Sequence, residues 1–396
     1  MAGGQKKRAR AAEEAQASQK SQKTTKARPE TSKEAKSKTD KPKDKQEMTD
    51  SKASKGVEIP SLVTRQPAKD SFLVTAGTYE RLLYGIEGRF VDDTLTLKAQ
   101  FIFPAHIGCI KAVSVGGRYL ASGSTDECIK LYDLKKRVEL GTLHEHKGTI
   151  TSLFFHGRTH MLSASEDGAI CIFRTKDWEP LKVLRGHKGP ITSIAVHPSG
   201  KLALSVSQDR TIIIWNLLTG QRASRTKTPQ IGEMVAWSPS GNAYAVGYST
   251  EFQLYKIGQA EAVATAFSKQ RIQVMTIVEH KGKDYVLVGC QDKRVYIYSS
   301  EGTELGSVLC HENRIKGISS VDMTFPDEKV HTIVVTISSD GRVKAWRLDD
   351  LIESVLKTPS DNKTTDASDS QQPEALATYN ADVRLTCVVA SNNIFI

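Results

Sequence analysis

Histidine, serine and aspartate recur together in this chain of 396 residues, a combination that could in principle activate a nucleophile. One such set is His187, Ser205 and Asp209. The same residue types return in the same order as His106, Ser122 and Asp126, as His146, Ser163 and Asp167, and with threonine in place of serine as His311, Thr336 and Asp340. A catalytic site has no reason to be copied along one chain, whereas a structural unit that stacks on its own copies does. The pattern favours a structural role, so we expect the protein not to be an enzyme.

The stretch from Leu181 to Gly220 shows which elements position such a set. Small or apolar residues alternate in two runs that begin at Ile191 and Ala203, and a third apolar run covers Ile212–Trp215. Turn residues, among them Pro198–Gly200, separate the runs. This pattern predicts a meander of short antiparallel strands. Because such a meander cannot bury both of its faces alone, further copies must stack against it.

Seven copies can be aligned on the turn between the second and third strands. The aligned positions are Thr78, Asp126, Asp167, Asp209, Ser249, Asp292 and Asp340, and they lie 48, 41, 42, 40, 43 and 48 residues apart. An aromatic residue follows each of them after six positions: Tyr84, Tyr132, Phe173, Trp215, Tyr255, Tyr298 and Trp346. A period of roughly 40 to 45 residues is typical of WD40 blades. The chain is therefore predicted to be an all-β, seven-bladed WD40 propeller.

The resemblance to WD40 repeats assigns a hydrogen-bonded tetrad to each well-formed blade. In the fourth copy its members are His187, Ser205, Asp209 and Trp215. The carboxylate holds the imidazole, the imidazole reaches the hydroxyl, and the indole N–H is donated to the same hydroxyl. The last copy is expected to repeat the tetrad with Trp346, and the second and third copies to carry degraded versions that end in Tyr132 and Phe173. The remaining three copies lack most of the set, so we expect packing to hold them.

Cofactor chemistry finds little support. No GxGxxG or GxxxxGK[ST] motif is present that could cradle a phosphate. His144 and His146 could suggest a metal, but His146 is already assigned to a tetrad. The six cysteines show no CxxC spacing and fall mostly in predicted strands, as reduced core thiols in a reducing compartment would. We expect no cofactor, no metal and no small-molecule substrate.

Residues 1–68 differ from the rest in composition. They contain no Phe, Trp or Tyr and carry 17 Lys and Arg against 9 Asp and Glu, so this segment holds 17 − 9 = 8 of the net charge of +10. Such a segment buries too little apolar surface to order itself and is expected to be disordered. It includes a basic cluster of the kind read by nuclear import receptors, formed by Lys6, Lys7, Arg8 and Arg10.

Two interpretations of this tail remain open. One is nuclear targeting with loose, sequence-independent contact to a polyanion such as rRNA. The other is a solvated linker whose charge keeps the protein soluble. Neither a secretory signal nor a run of 18 apolar residues is present, so no membrane partner is expected.

Residues 69–396 are predicted to form the propeller. The first copy lacks its first strand, and an isolated β-like run after the seventh copy, Val383–Ala390, is expected to supply it and close the ring. A polar insert interrupts the last copy from Asp349 onward, with its core at about residues 353–376. It is expected to be an exposed loop with little structure of its own.

The face that carries the turns between second and third strands is the predicted binding platform, since loops on a rigid scaffold commonly carry function. The residues just before the aligned positions should point outward, and these are Thr125, Glu166, Gln208, Gln291 and Ser339. Beside them lie the cations of a basic arc over the fourth, sixth and seventh copies, namely Arg210, Lys293, Arg294 and Arg342. The arc either contacts an anion or RNA specifically, or consists of polar residues that simply fill exposed turns.

Four stretches carry a resemblance more specific than the repeat: GTYERLLYG at Gly77–Gly85, SASEDGAICIF at Ser163–Phe173, HPSGKLALSVSQDRTIIIWNLLTG at His197–Gly220 and HENRIKG at His311–Gly317. They resemble the PAK-interacting-protein-like WD-repeat proteins, whose yeast counterpart is a maintenance-of-killer factor. The resemblance covers roughly residues 70–346. It implies a nuclear, nucleolar scaffold that assembles the large (60S) ribosomal subunit, acting as a monomer docked on proteins of pre-ribosomal particles.

Two alternative functions remain. The same resemblance implies negative regulation of PAK-type kinases, and a propeller could also serve as the substrate receptor of a ubiquitin ligase. Nuclear import and an RNA-rich partner both suit a basic tail, whereas kinase regulation predicts nothing about it. Ribosome assembly is therefore the favoured expectation.

Overall fold

A computed structural model describes residue 68 and residues 71–259, 261–356 and 373–392. Within these residues, 28 strands form seven four-stranded sheets, and every pairing between neighbouring strands of a sheet is antiparallel. The prediction of an all-β propeller with seven blades is confirmed.

The blades are numbered along the ring, and each is given from its first strand to its fourth. Blade 1 consists of β28 (Leu385–Asn392), β1 (Ser71–Thr78), β2 (Leu82–Val91) and β3 (Thr94–Pro104). Blade 2 consists of β4 (Ile110–Gly116), β5 (Tyr119–Ser124), β6 (Ile129–Asp133) and β7 (Val138–Leu143). Blade 3 consists of β8 (Ile150–His156), β9 (His160–Ser165), β10 (Ala169–Arg174) and β11 (Pro180–Arg185).

The other four blades follow the chain directly. Blade 4 consists of β12 (Ile191–Val196), β13 (Leu202–Ser207), β14 (Thr211–Asn216) and β15 (Gln221–Lys227). Blade 5 consists of β16 (Met234–Trp237), β17 (Ala243–Gly247), β18 (Glu251–Lys256) and β19 (Ala264–Phe267). Blade 6 consists of β20 (Ile272–His280), β21 (Lys283–Cys290), β22 (Arg294–Ser299) and β23 (Glu304–Leu309). Blade 7 consists of β24 (Ile315–Thr324), β25 (Val330–Ser338), β26 (Arg342–Arg347) and β27 (Ala377–Asn380).

Burial follows the position of a strand in its blade. Every residue of β13 after Leu202 is buried, because neighbouring strands flank it and neighbouring blades cover both of its faces. The fourth strand β15 is almost entirely exposed. The apolar cores therefore lie between blades, so each blade depends on the next to bury its faces.

The first strands form a closed inner ring, since each contacts the first strands of the two neighbouring blades. The ring is completed by β28, which pairs with β1 from Phe72 opposite Asn392 to Thr78 opposite Leu385. The prediction that a C-terminal strand completes the first blade is confirmed, with the strand two residues later than expected.

The polar insert does not begin as a loop. Residues Leu348–Leu356 form helix α1, whose buried side chains are Leu348, Leu351, Ile352 and Val355. Their spacing of three and four residues places them on one helical face, which packs into the core of blades 6 and 7. The expectation of a loop from Asp349 onward is wrong for this part, and residues 357–372 lie outside the described residues.

Ala68 is part of the propeller. Its backbone N–H donates to the carbonyl of Asp322 at 2.8 Å, and its carbonyl accepts from the N–H of Thr324 at 2.8 Å. These bonds place Ala68 beside Met323 on the first strand of blade 7. Assigning Ala68 to a disordered tail is therefore wrong. The rest of that tail, including the cluster from Lys6 to Arg10, lies outside the described residues.

Candidate binding face and the tetrads beneath it

Strand order defines two faces of the ring. The upper face carries the connections between blades and the turns between second and third strands, and the lower face carries all other turns. The tetrads lie just beneath the upper face. Hydrogen bonds from the tetrads hold the loops of the upper face in place.

In blade 4 the tetrad is complete. The indole N–H of Trp215 donates to Ser205 Oγ at 2.8 Å, and this hydroxyl lies 2.7 Å from His187 Nε2. His187 Nδ1 lies 3.3 Å from both carboxylate oxygens of Asp209. A neutral ring that carries its proton on Nδ1 satisfies all of these contacts. Burial favours that neutral form and lowers the pKa of His187.

Asp209 also ties the loops of the upper face together. Its carboxylate accepts from the backbone N–H of Lys188 at 2.8 Å and from the N–H and hydroxyl of Thr211 at 3.1 and 2.6 Å. Burial would raise the pKa of this carboxyl, but the hydrogen bonds from Thr211, Lys188 and His187 outweigh it and the pKa is lowered. The charged carboxylate therefore fixes the connection between blades to the adjoining turn.

Blades 2 and 3 keep three of the four members. His106 Nε2 lies 2.7 Å from Ser122 Oγ, and its Nδ1 lies 3.0 Å from Asp126. The corresponding distances from His146 to Ser163 and Asp167 are also 2.7 and 3.0 Å. The aromatic residues that stand in place of Trp215 in these two blades do not join the hydrogen bonds of the tetrad. Phe173 has no polar atom, and the buried Tyr132 hydroxyl has no hydrogen-bond partner in the described part of the chain.

Blade 7 lacks a different link. Thr336 Oγ1 lies 2.8 Å from His311 Nε2 and accepts from the indole N–H of Trp346 at 2.9 Å. However, His311 Nδ1 and Asp340 Oδ2 are both buried without a partner among the described residues. The structure therefore does not join His311 to Asp340, contrary to the full tetrad that the sequence predicts for this blade.

The isolated ring of His311 should make stability depend on pH. Burial is the main reason why the pKa of His311 is lowered from 6.5 to about 4, and the positive charge of Lys344 is the second reason. Between these values the unfolded chain binds a proton that the folded protein does not, so the free energy of unfolding falls as the pH falls and levels off below pH 4. We expect His311 to contribute a loss of about 2 kcal/mol between pH 7 and pH 5, measured by urea unfolding.

A matched pair of variants isolates this effect. His311→Gln should flatten the decline of stability between pH 7 and pH 5, whereas His144→Gln, at an exposed ring, should leave it unchanged. Only the slope with pH matters, because the first variant also changes stability at neutral pH. An unchanged slope in His311→Gln would contradict the assignment.

Blades 1, 5 and 6 are held mainly by packing. The rings of Tyr244 and Tyr255 stack with centroids 5.0 Å apart, and Phe252 meets Tyr298 edge to face at 4.9 Å. Individual polar contacts occur within these blades and between them. One is the Tyr296 hydroxyl, which donates to Asp292 at 2.6 Å.

The residues of the predicted platform occupy the turns of the upper face. Thr125, Glu166, Gln208 and Gln291 are exposed and Ser339 is half-buried. The four cations of the predicted arc are in different states. Arg210 and Lys293 are exposed, Arg342 forms an ion pair with Glu312 at 2.6 Å, and Arg294 Nη1 lies 3.4 Å from Ser307 Oγ. Half of the arc is thus already engaged within its own blades.

Sequence reasoning missed a repeated bulge on the inner ring. In six blades the pairing of first and second strands skips the second residue of the first strand, namely Lys111, Thr151, Thr192, Gln273, Lys316 and Thr386. A bulge redirects the side chain of the residue it leaves unpaired. Thr192 Oγ1 donates to the carbonyl of Gly232 and Thr386 Oγ1 to that of Ile110, both at 2.6 Å and both across to the next blade. The sequence offered one signal for these bulges, since the bulged residue directly follows the first apolar residue of each of these first strands.

No group of three or more histidine, cysteine or carboxylate side chains within residues 71–259, 261–356 and 373–392 is arranged to hold a metal ion. His144 Nδ1 lies 3.3 Å from Cys128 Sγ, and the six cysteines are free thiols. No helix in the described part of the chain is both long enough and apolar enough to cross a membrane.

Seven four-stranded blades with tetrads beneath one face define a WD40 propeller. The family model described as "WD domain, G-beta repeat" matches residues 97–133, 137–174 and 178–216. Each match begins within or just before the fourth strand of one blade and ends with the third strand of the next. Propellers of this class are typically non-enzymatic scaffolds for protein–protein interaction, and no catalytic family is indicated.

Curated relatives identify the family. A p21-activated protein kinase-interacting protein 1-like protein of Danio rerio is 37% identical over 320 residues, covering 81% of this chain and 80% of the relative. The human p21-activated protein kinase-interacting protein 1 is 39% identical over 327 residues, covering 80% and 76%. Protein MAK11 of Saccharomyces cerevisiae is 32% identical over 371 residues, covering 81% and 83%. The chain belongs to the p21-activated protein kinase-interacting protein 1 family of WD-repeat proteins.

Proposed function

We propose that this protein is a non-enzymatic scaffold in the nucleolar assembly of the large (60S) ribosomal subunit, and that it docks as a single copy on proteins of pre-ribosomal particles. The observation that carries the proposal is the similarity to yeast Protein MAK11 along 81% of this chain and 83% of that protein. The maintenance-of-killer type of WD-repeat protein is the one for which the sequence resemblance implies 60S assembly.

Two physical features support this role. The ring offers a rigid face, and its loops are anchored by the carboxylates of Asp126, Asp167 and Asp209. The tail carries most of the net charge, so it can contact rRNA through counterion release without reading its sequence. In this proposal Lys6, Lys7, Arg8 and Arg10 deliver the protein to the nucleus.

Depletion tests the proposal directly. We expect loss of the protein to lower free 60S subunits in a sucrose gradient, and the protein itself to sediment with large-subunit precursors. The intact chain should restore the profile, whereas a variant with Lys6, Lys7, Arg8 and Arg10 all replaced by alanine should not, because it fails to reach the nucleus.

In the matched control variant, alanine replaces four other lysines of the tail, Lys33, Lys36, Lys38 and Lys41. This variant loses the same positive charge and keeps the basic cluster unchanged. This variant should restore the profile. A normal subunit profile after depletion would overturn the proposed function, and restoration by the cluster variant would overturn the import role alone.

Regulation of a PAK-type kinase is the second candidate, favoured by the names of the zebrafish and human relatives, which describe proteins that interact with p21-activated kinase. It predicts that the purified protein lowers the activity of such a kinase in a purified assay. Affinity purification with mass spectrometry, with and without nuclease, separates the candidates. Pre-60S proteins support the first function, a kinase supports the second, and ubiquitin ligase subunits would point to a substrate receptor.

A further inference from the structure

Five cations gather at the upper end of the inner ring, on four consecutive blades. Lys316 and Lys111 occupy bulge positions on the first strands of blades 7 and 2, while Arg271, Arg314 and Arg384 directly precede the first strands of blades 6, 7 and 1. We call these five residues the mouth cluster. Their positions on first strands place them around the centre of the upper face, inside the turns that carry the predicted platform.

The mouth cluster carries little compensating charge. Among the described residues, Lys111, Arg314, Lys316 and Arg384 form no ion pair, and Arg271 alone is paired, with Glu233 at 3.1 Å. Lys316 Nζ donates to the neutral amide of Gln273 at 3.0 Å. The guanidinium of Arg384 lies 5.3 Å from the centre of the Tyr79 ring. Four of the five cations therefore have no ion pair among the described residues, although the backbone N–H of Arg384 donates to Glu80 Oε1 at 3.4 Å.

Lys316 is surrounded by the other four cations of the cluster. Burial, and then the charges of Arg314, Arg384, Lys111 and Arg271, lower the pKa of Lys316. All four cations therefore lie within electrostatic range of the Lys316 ammonium, around one point at the upper end of the inner ring. That point is half-buried, because Lys316 and Gln273 are recessed in the ring while Lys111, Arg271 and Arg384 are exposed around them.

The geometry suits a carboxylate side chain better than a nucleic acid backbone. A single strand of RNA is matched by a row of cations that tracks its phosphates and by aromatic rings that stack on its bases. Here the cations form a cluster around a recess. The aromatic ring at the edge of the recess, Tyr79, is already in a cation–π contact with Arg384. An Asp or Glu side chain projecting from an extended peptide can enter such a recess and accept charge-assisted hydrogen bonds from several donors.

We propose that the mouth cluster is a docking site for an acidic segment of a partner protein, with Asp or Glu side chains inserted between Lys316, Lys111 and Arg384. The site is distinct from the basic arc of the outer turns, half of which is engaged within its own blades. The proposal specifies the chemistry of the partner segment. It does not depend on whether that partner belongs to a pre-ribosomal particle.

Fluorescence anisotropy with the purified full chain tests the site. The probe is a labelled 12-residue peptide in which Asp and Glu alternate with Gly and Ser, and its reference carries Asn and Gln at the acidic positions. We expect the acidic peptide to bind and the reference not to bind at the same concentrations. Lys111→Gln combined with Lys316→Gln should weaken binding at least about tenfold, and binding should fall as the salt concentration rises.

A lower-face control removes the same charge and leaves the basic tail unchanged. Lys135 and Lys283 are exposed lysines of that face, so Lys135→Gln combined with Lys283→Gln should change the affinity less than about twofold. If the first pair unfolds the protein, Arg314→Gln with Arg384→Gln tests the same cluster at its rim. Equal losses from both faces, or no loss from the cluster, would overturn the proposal.

A single-stranded RNA of equal charge serves as the competing probe. If it binds more tightly than the peptide and loses affinity in the same variants, the site belongs to nucleic acid and the acidic-segment proposal fails. The assay contains only purified protein, so its outcome is independent of the depletion experiment that tests the proposed function.

Discussion

Replacing Asp209 with alanine is expected to lower the free energy of unfolding by about 3 kcal/mol at pH 7. The substitution removes the acceptor of the N–H groups of Lys188 and Thr211, and it leaves the buried Nδ1–H of His187 with Thr211 Oγ1, at 3.3 Å, as its remaining acceptor. It also removes the ion pair with Arg225 at 3.3 Å. Buried donors that lose their acceptor cost far more than an exposed hydrogen bond contributes, so the loss of this single carboxylate, whose side chain is 8% exposed, should have a large effect.

Asp340→Ala is the matched control, since it removes the same residue type from the same place in blade 7. Asp340 makes no bond to His311, and its Oδ1 accepts from the backbone N–H of Arg342 at 3.1 Å. We expect a loss of about 1 kcal/mol there. Urea unfolding of both variants under one set of conditions gives the comparison, and equal losses would show that the His187–Asp209 link contributes nothing particular to blade 4.

Deleting residues 383–396 is expected to abolish the cooperative thermal unfolding of the protein and to leave it aggregated at 37 °C. The deletion removes β28, which joins three blades. Thr386 Oγ1 donates to the carbonyls of Gly77 in blade 1 and Ile110 in blade 2, at 2.9 and 2.6 Å. The N–H of Ala390 donates to Ser319 Oγ in blade 7 at 2.9 Å. Without β28 the edge of β1 is unpaired, and an open strand edge invites association with other chains.

Circular dichroism melts and size-exclusion chromatography measure this result. Deleting residues 393–396 alone is the control. It leaves β28 whole and should shift the midpoint by less than about 2 °C. A monomer with a single, unshifted transition after the longer deletion would show that ring closure is dispensable.

The ring could be predicted because its evidence repeats. Seven turns aligned on residues such as Asp209, each followed by a buried aromatic such as Trp215, predict the blade count even where individual blades are degraded. The incomplete first copy likewise predicted the C-terminal closing strand. Helix α1 was missed because five apolar residues within nine positions, next to a polar insert, give too short a periodic signal.

The mouth cluster and the broken tetrad could not be predicted for a different reason. Lys111 and Lys316 are 316 − 111 = 205 residues apart in the chain, and only ring closure brings them together. His311 and Asp340 lie 29 residues apart, against 20 to 22 residues for the three pairs that are joined, but the residue types alone predicted the same bond, and its absence depends on packing in three dimensions. Patterns along the chain reveal which elements repeat, whereas contacts between distant elements require the fold.

The closing strand also has a consequence for how the protein is made. Leu73 and Ser391, which face each other in blade 1, are separated by 318 residues. At about 5–20 residues per second, roughly 15 to 65 s of translation pass between them. During that time β1 has been synthesised, but β28, its partner on the inner side of blade 1, has not. Blade 1 can therefore be completed only after blade 7 has been synthesised. We therefore expect the open edge of β1 to be a site of aggregation in each nascent chain until β28 has been synthesised.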